Sequence, residues 1–375
     1  MLKYKLKNYK FRLIIEVMML NIFGIIVIGS ANPAYQKTQI FGMLLGLGVM
    51  VVTSVIDYEY FMKLSWVIYG FTVFILALIM LPIFGDDSKG AQRWIRIGGF
   101  RFQPSELAKI LLILFFAYFL ARYHEQLNTL KILVLCMIFA GIPLILILKQ
   151  PDLSTTIVTT VMICIMMFAA GLSWKLVGGV IAVTIPAIMI ALNIILTKGQ
   201  TFLKHHQYLR IMAWLRPDEF PQEAIQQQNS IIAIGSGQLF GKGLFNSQAA
   251  SLKNGNFIIE PHTDFIFAIV GEELGFVGCA FVIIMLLLIT LDCIWIGKKA
   301  KDLQGRLIAV GVAGIIAMQS FVNICVTTGL MPNTGLTLPF VSYGLTSLVS
   351  LYIGIGLVLN VGLQPRKYNR TEVVK

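Results

Sequence analysis

Apolar runs long enough to cross a lipid bilayer recur along nearly the whole of this 375-residue chain. Ten can be placed, at roughly 12–31, 38–56, 64–84, 104–121, 131–149, 154–171, 176–196, 264–295, 307–329 and 343–362. A helix of about 20 apolar residues spans a hydrocarbon core of roughly 30 Å. Inside that core every backbone N–H and C=O must be satisfied within the protein, which leaves helices and closed barrels as spanning structures. The chain therefore reads as an all-α polytopic membrane protein with about ten transmembrane helices. Charged residues make up 13% of it and apolar residues 57%, where a soluble domain carries about 25% charged residues. The first run follows a basic start without a convincing small-residue cleavage site, so it reads as a retained span rather than a signal peptide.

A net charge of +12 raises the question of a nucleic-acid partner. The distribution of the charge answers it better as membrane orientation. Lys3, Lys5, Lys7, Lys10 and Arg12 precede the first run, Lys298, Lys299, Lys301 and Arg306 lie in one short connection, and Arg366, Lys367, Arg370 and Lys375 form the tail. With an even number of spans these segments share one face, and the positive-inside rule makes that face, with both termini and the tail 363–375, cytoplasmic. Cys136, Cys164, Cys279, Cys293 and Cys325 all fall in or beside apolar runs and read as small apolar fillers. Their spacing supports neither a disulfide framework nor a zinc site.

The opposite face then carries loops 85–103, 150–153 and 330–342, and the largest, 197–263. All belong to a single transmembrane domain with no soluble domain attached. Long loops cross largely regardless of charge, and the basic residues of 85–103 and 197–263 suit an anionic partner such as lipid phosphate. Within the large loop, residues 208–215 read as a short amphipathic helix that stops before Pro217. Residues 217–229 are polar and 230–234 apolar again, too short to span, so the loop is expected on the membrane face or dipping into it. The stretch 235–243 is glycine-rich but is not a phosphate-binding P-loop. Three residues rather than four separate Gly237 from Gly241, and Gly243 follows Lys242 where Ser or Thr is required. It is either a tight turn near the membrane or a cradle in which backbone N–H groups and Lys242 face an anionic headgroup.

Several polar residues at span mouths could carry chemistry. Asp264 stands where the large loop meets a long apolar run, and an acid there needs a task or a partner. It could also be a helix N-cap. Glu106 and Lys109 share a helix face at i, i+3, either as a structural ion pair or as the lining of a polar cavity. Asp152 is adequately explained as an N-cap. Glu272 and Glu273 lie roughly 12–14 Å further along the helix than Asp264 at 1.5 Å per residue, and read as holding helices together. His262 is one of four histidines and has no second histidine at metal-ligand spacing.

Taken in order, these segments resemble the SEDS family of bacterial membrane proteins, known through RodA, FtsW and SpoVE. The resemblance rests on Ala91-Gln92-Arg93-Trp94-Ile95, on residues 102–109 (Phe-Gln-Pro-Ser-Glu-Leu-Ala-Lys) and on Lys149-Gln150-Pro151-Asp152-Leu153. It continues through Arg210-Ile211, Leu215-Arg216-Pro217, 235–243, 260–275, 329–335 and Leu338-Pro339-Phe340-Val341-Ser342-Tyr343-Gly344. The family resemblance implies a peptidoglycan glycosyltransferase in the bacterial cytoplasmic membrane, with its active site facing outside. It would polymerise lipid II beside a class B penicillin-binding protein and other elongation or division proteins. The family's catalytic acid maps onto Asp264, its central polar pair onto Glu106 and Lys109, and its next acid onto Asp152.

A sugar 4-hydroxyl is a poor nucleophile until its proton is removed, and a carboxylate within reach can remove it. Asp264 is expected to act so. Lys109, Arg210 and Lys242 are expected to meet the charge on the departing polyprenyl pyrophosphate, with His262 and Ser342 completing the substrate-binding set. A divalent cation such as Mg2+ or Mn2+ could share that task, although no carboxylate cage is visible in the sequence. The rival readings are a lipid II flippase and a non-enzymatic scaffold for a penicillin-binding protein.

Overall fold

A computed structural model describes residues 9–80, 85–88, 91–97, 100–150, 152–198, 205–245 and 260–364. Thirteen α-helices and a three-stranded sheet occupy them. The helices are α1 (Phe11–Ala31), α2 (Pro33–Val55), α3 (Tyr58–Lys63), α4 (Ser65–Leu78), α5 (Pro104–Arg122), α6 (Leu130–Lys149) and α7 (Leu153–Ala169). After them come α8 (Trp174–Lys198), α9 (His205–Leu215), α10 (Pro221–Ser236), α11 (Ile266–Lys298), α12 (Leu303–Thr327) and α13 (Leu345–Leu363). Each of the ten expected runs carries a helix. Seven of these (α1, α2, α5, α6, α11, α12 and α13) are long and apolar enough to cross a membrane, while α4 and α7 are shorter. The run expected at 64–84 is helical only to Leu78, and 81–84 lie outside the described residues, as do Lys3, Lys5, Lys7 and the tail from 365.

The centre of the bundle is α5, α12 and α13. More than two thirds of each is buried, against less than a third of α2 and α6. α12 packs against α5, α7, α11 and α13, and α13 packs along α2. Close approach explains several glycines. A Cβ at Gly24 would strike the backbone at Val341, and one at Gly46 would strike the Tyr352 ring. The outer helices leave large apolar side chains exposed, among them Phe74, Val67, Met137 and Val183, as a lipid-facing surface requires.

Two elements go beyond the sequence expectation. Loop 85–103 folds back on itself as antiparallel strands β1 (Gly85–Ser88), β2 (Ala91–Ile97) and β3 (Phe100–Phe102), in the order β1-β2-β3. Residues 221–236, expected as a polar stretch followed by an apolar one, form the single helix α10, with Pro221 in its first turn. That helix docks on α11 and α12. Gln227 Nε2 donates to the carbonyls of Val326 and Met331, and Ser230 Oγ donates to that of Thr327.

Candidate active site

Asp264 lies two residues before α11 and is half-buried. It is not the N-cap, a position held by Phe265 without any side-chain cap. Asn323 of α12 donates to its carbonyl oxygen at 2.8 Å. Its carboxylate lies against the backbone at Gly335, where a Cβ would stand 3.3 Å from Oδ2. Gly335 also has a φ of +75°, a conformation costly for a residue with a Cβ. His262 and Ser342 hold this mouth together. The Ser342 hydroxyl donates to Thr263 O and accepts from Leu338 N, both at 2.7 Å, and Tyr343 N donates to His262 O at 2.9 Å. The His262 ring stacks on Tyr35 at 4.1 Å and meets Tyr343 at 5.6 Å. Both residues are buried, and these contacts seat the Ser342 hydroxyl, the His262 backbone and the His262 ring at the mouth beside Asp264.

Arg210 comes to the same place from α9. Trp214, one turn further along, donates from Nε1 to Gly329 O at 2.8 Å, which fixes α9 over the end of α12. The Arg210 side chain is solvent-exposed, yet its surroundings are dense enough for desolvation to be the main cause lowering its pKa. The charge of Arg93 lowers the pKa further, and Asp264 and Asp152 oppose the shift. Arg93, Asp152 and Asp264, from three other parts of the chain, therefore lie within electrostatic reach of Arg210.

Asp152 is the N-cap of α7, as expected, with Oδ1 accepting from Thr155 N at 3.1 Å. Its Oδ2 accepts from Gln103 Nε2 at 3.3 Å, and Arg93 Nε donates to Gln150 O at 3.0 Å. These bonds join the sheet, the start of α5 and the start of α7 into one wall.

Glu106 and Lys109 form the expected ion pair, 2.9 Å apart, and each is about 95% buried or more. Lys109 Nζ also donates to Gln319 Oε1 at 2.8 Å. Glu106 Oε2 is buried with no hydrogen-bond partner among the described residues. A buried pair leaves α5 little freedom, because removing either charge strands the other.

The glycine-rich turn has a different task. α11 is broken at Gly275, which has φ +64° and ψ −158°. The backbone N–H groups of Lys242 and Gly243 donate to Glu272 O and Glu273 O, both at 2.9 Å, while Phe276 N donates to Gln238 O at 2.8 Å. A Cβ on Gly237, Gly241 or Gly275 would collide with the opposing backbone. The turn therefore replaces the hydrogen bonds that the break removes from α11. Lys242 Nζ pairs with Glu272 at 3.0 Å, and Glu273 accepts from Ser30 Oγ at 2.6 Å. These backbone donors face a helix rather than a headgroup, and both glutamates hold helices together as expected.

The model of one protein family, the cell cycle proteins FtsW, RodA and SpoVE, matches residues 11–367. The chain belongs to that family. A probable peptidoglycan glycosyltransferase FtsW of Geobacter sp. (strain M18) is 32% identical, over 96% of this chain and 99% of the relative. Peptidoglycan glycosyltransferase MrdB of Escherichia coli (strain K12) is 35% identical, over 93% of this chain and 92% of its own. Among solved structures, RodA of Thermus thermophilus aligns with a TM-score of 0.67 at 26% identity, covering 96% of this chain and 97% of that one. A chain from a peptidoglycan synthase complex, described as coordinating polymerization and crosslinking, aligns with a TM-score of 0.76 at 27% identity, covering 96% and 98%.

Within this FtsW/RodA/SpoVE fold, the residues that sequence reasoning did not assign to the site are Arg93, Gln103, Gln319 and Asn323. Arg93 was visible as part of a basic loop and of the motif 91–95, without a role of its own. Gln319 and Asn323 did carry a signal, since two amides one turn apart in an apolar helix need internal partners.

Proposed function

We propose that this chain is a peptidoglycan glycosyltransferase that polymerises lipid II at the outer face of the cytoplasmic membrane, with Asp264 as its general base. The observation that carries this reading is a half-buried carboxylate at the mouth of α11, set against the Gly335 backbone and within electrostatic reach of the exposed Arg210. A carboxylate so placed can accept a proton from the acceptor 4-hydroxyl. Attack by that oxygen on the donor anomeric carbon inverts it and breaks the bond to the polyprenyl pyrophosphate. The leaving group departs as an anion, so one carboxylate suffices. Arg210 and Arg93 are placed to meet its charge, and fixed cations in partly dehydrated surroundings stabilise such charge strongly. Lys109 supports the site from below through Gln319, while Lys242 is held by Glu272.

Among the described residues no three His, Cys, Asp or Glu gather as metal ligands, and no step is routed through a divalent cation. On this reading both termini lie in the cytoplasm, ten helices cross the membrane and Asp264 faces outside. The partner is a class B penicillin-binding protein, which supplies crosslinking. The likeness to a chain from a synthase complex supports that assignment.

The test is polymerisation of lipid II by the purified protein, alone and with its penicillin-binding protein, with the transpeptidase blocked. Asp264→Asn should lower the rate about 10²–10⁴-fold, the usual contribution of a general base. A folded Asp264→Asn protein working at near wild-type rate would overturn the assignment.

A further inference from the structure

Gln319 and Asn323 stand one turn apart on α12, 0% and 1% exposed. Gln319 accepts from Lys109 Nζ at 2.8 Å and donates to Thr337 O at 3.0 Å. Asn323 donates to Leu336 O at 2.6 Å and to Asp264 O at 2.8 Å. The two amides thus grip consecutive carbonyls of loop 330–342. Gln319 ties one of them to the buried ion pair, and Asn323 ties the other to the residue bearing the reacting carboxylate. Gly335, next in this gripped segment, is the residue whose backbone lies against Asp264 Oδ2.

We infer that Gln319 and Asn323 are positioning residues, an amide ladder that couples the buried Glu106–Lys109 pair to Asp264 and sets the place of its carboxylate. The physical reason lies in the chain of bonds. An amide whose oxygen accepts from an ammonium becomes a stronger donor through its nitrogen, because successive hydrogen bonds polarise one another. The Lys109 charge therefore tightens the hold of Gln319 on Thr337, and the same segment lies against the Asp264 carboxylate at Gly335. A displaced Lys109 loosens the same segment. Coupling of this kind changes where the base stands and leaves substrate contacts intact, so it acts on kcat rather than on KM. The inference rests on Asp264 being the general base.

The experiment measures kcat and KM for lipid II per folded molecule, with the penicillin-binding partner present and its transpeptidase blocked. The variants are Asn323→Leu, Gln319→Met, Asp264→Asn and, as a control, Ser230→Ala. The control loses a buried hydrogen bond to α12 at Thr327, away from Asp264. Both ladder variants should lose on the order of 10–100-fold in kcat, the scale of a misplacement of about 1 Å, with KM within about twofold of wild type. Ser230→Ala should lose thermal stability only. Should Asn323→Leu not fold, Gln319→Met, which matches volume and keeps the helix, carries the same readout. Wild-type kcat in the folded ladder variants, or a loss confined to KM, overturns the ladder while an inactive Asp264→Asn leaves the base assignment standing. An active Asp264→Asn overturns the base assignment itself.

Discussion

Two cation–carboxylate pairs connect the large loop to the start of α11, and they differ in what surrounds them. Lys242 and Glu272 meet where the backbone is already closed. The N–H groups of Lys242 and Gly243 are taken by α11, the glycines are packed against carbonyls, and Glu272 is fully buried. Arg210 is exposed and Asp264 half-buried, within electrostatic reach of each other and of a second arginine and a second aspartate. The chemistry of the side chains is nearly the same in the two places. Closure decides the role: a pair whose surroundings are complete stabilises the fold, and a pair left beside open space can act on a third molecule.

Substitutions at four residues test that contrast. The largest effect belongs to Asp264→Asn, whose loss of about 10²–10⁴ in polymerisation rate should come with almost no change in melting temperature. At the closed pair the pattern reverses. Lys242→Met takes the cation from a buried carboxylate and should destabilise by about 3 kcal/mol or more, seen in the melting temperature in detergent, while rate per folded molecule stays near wild type. A large drop in that rate would mean the pair is not closed after all. Arg210→Met should slow polymerisation about tenfold or more, since a donor aimed at developing charge is lost. It should also move the acidic limb of the rate profile to higher pH, because a carboxylate that loses a nearby cation holds its proton more tightly. An unmoved limb would separate Arg210 from the base. The smallest effect should come from Asp152→Asn. Asparagine caps as well as aspartate, so stability should change by less than about 0.5 kcal/mol, whereas Asp152→Ala should cost about 1 kcal/mol in thermal unfolding.

The helices were legible because hydrophobicity over some 20 residues is an unambiguous signal, and each expected run carries one. α10 was not, for a reason visible in its buried face. That face is Ala224, Gln227, Ser230 and Ala233, two small residues and two polar ones that bond carbonyls at the end of α12 and just beyond it, so no apolar stripe marks it. Loop 85–103 hid its sheet because three short strands rich in Arg, Asp and Gly give little periodic pattern. Asp264 stood out as an acid at the mouth of an apolar run, and Asp152 as a cap. The role of Lys242 could not be read from spacing, because its partner Glu272 lies on a helix whose break at Gly275 only the folded backbone reveals.

Gly335 governs how closely loop 330–342 can lie on Asp264. A Cβ there would stand 3.3 Å from Oδ2, and the φ of +75° favours glycine in any case. A side chain at this position would have to push the loop or the carboxylate aside, so the seat of Asp264 depends on a residue that has no side chain.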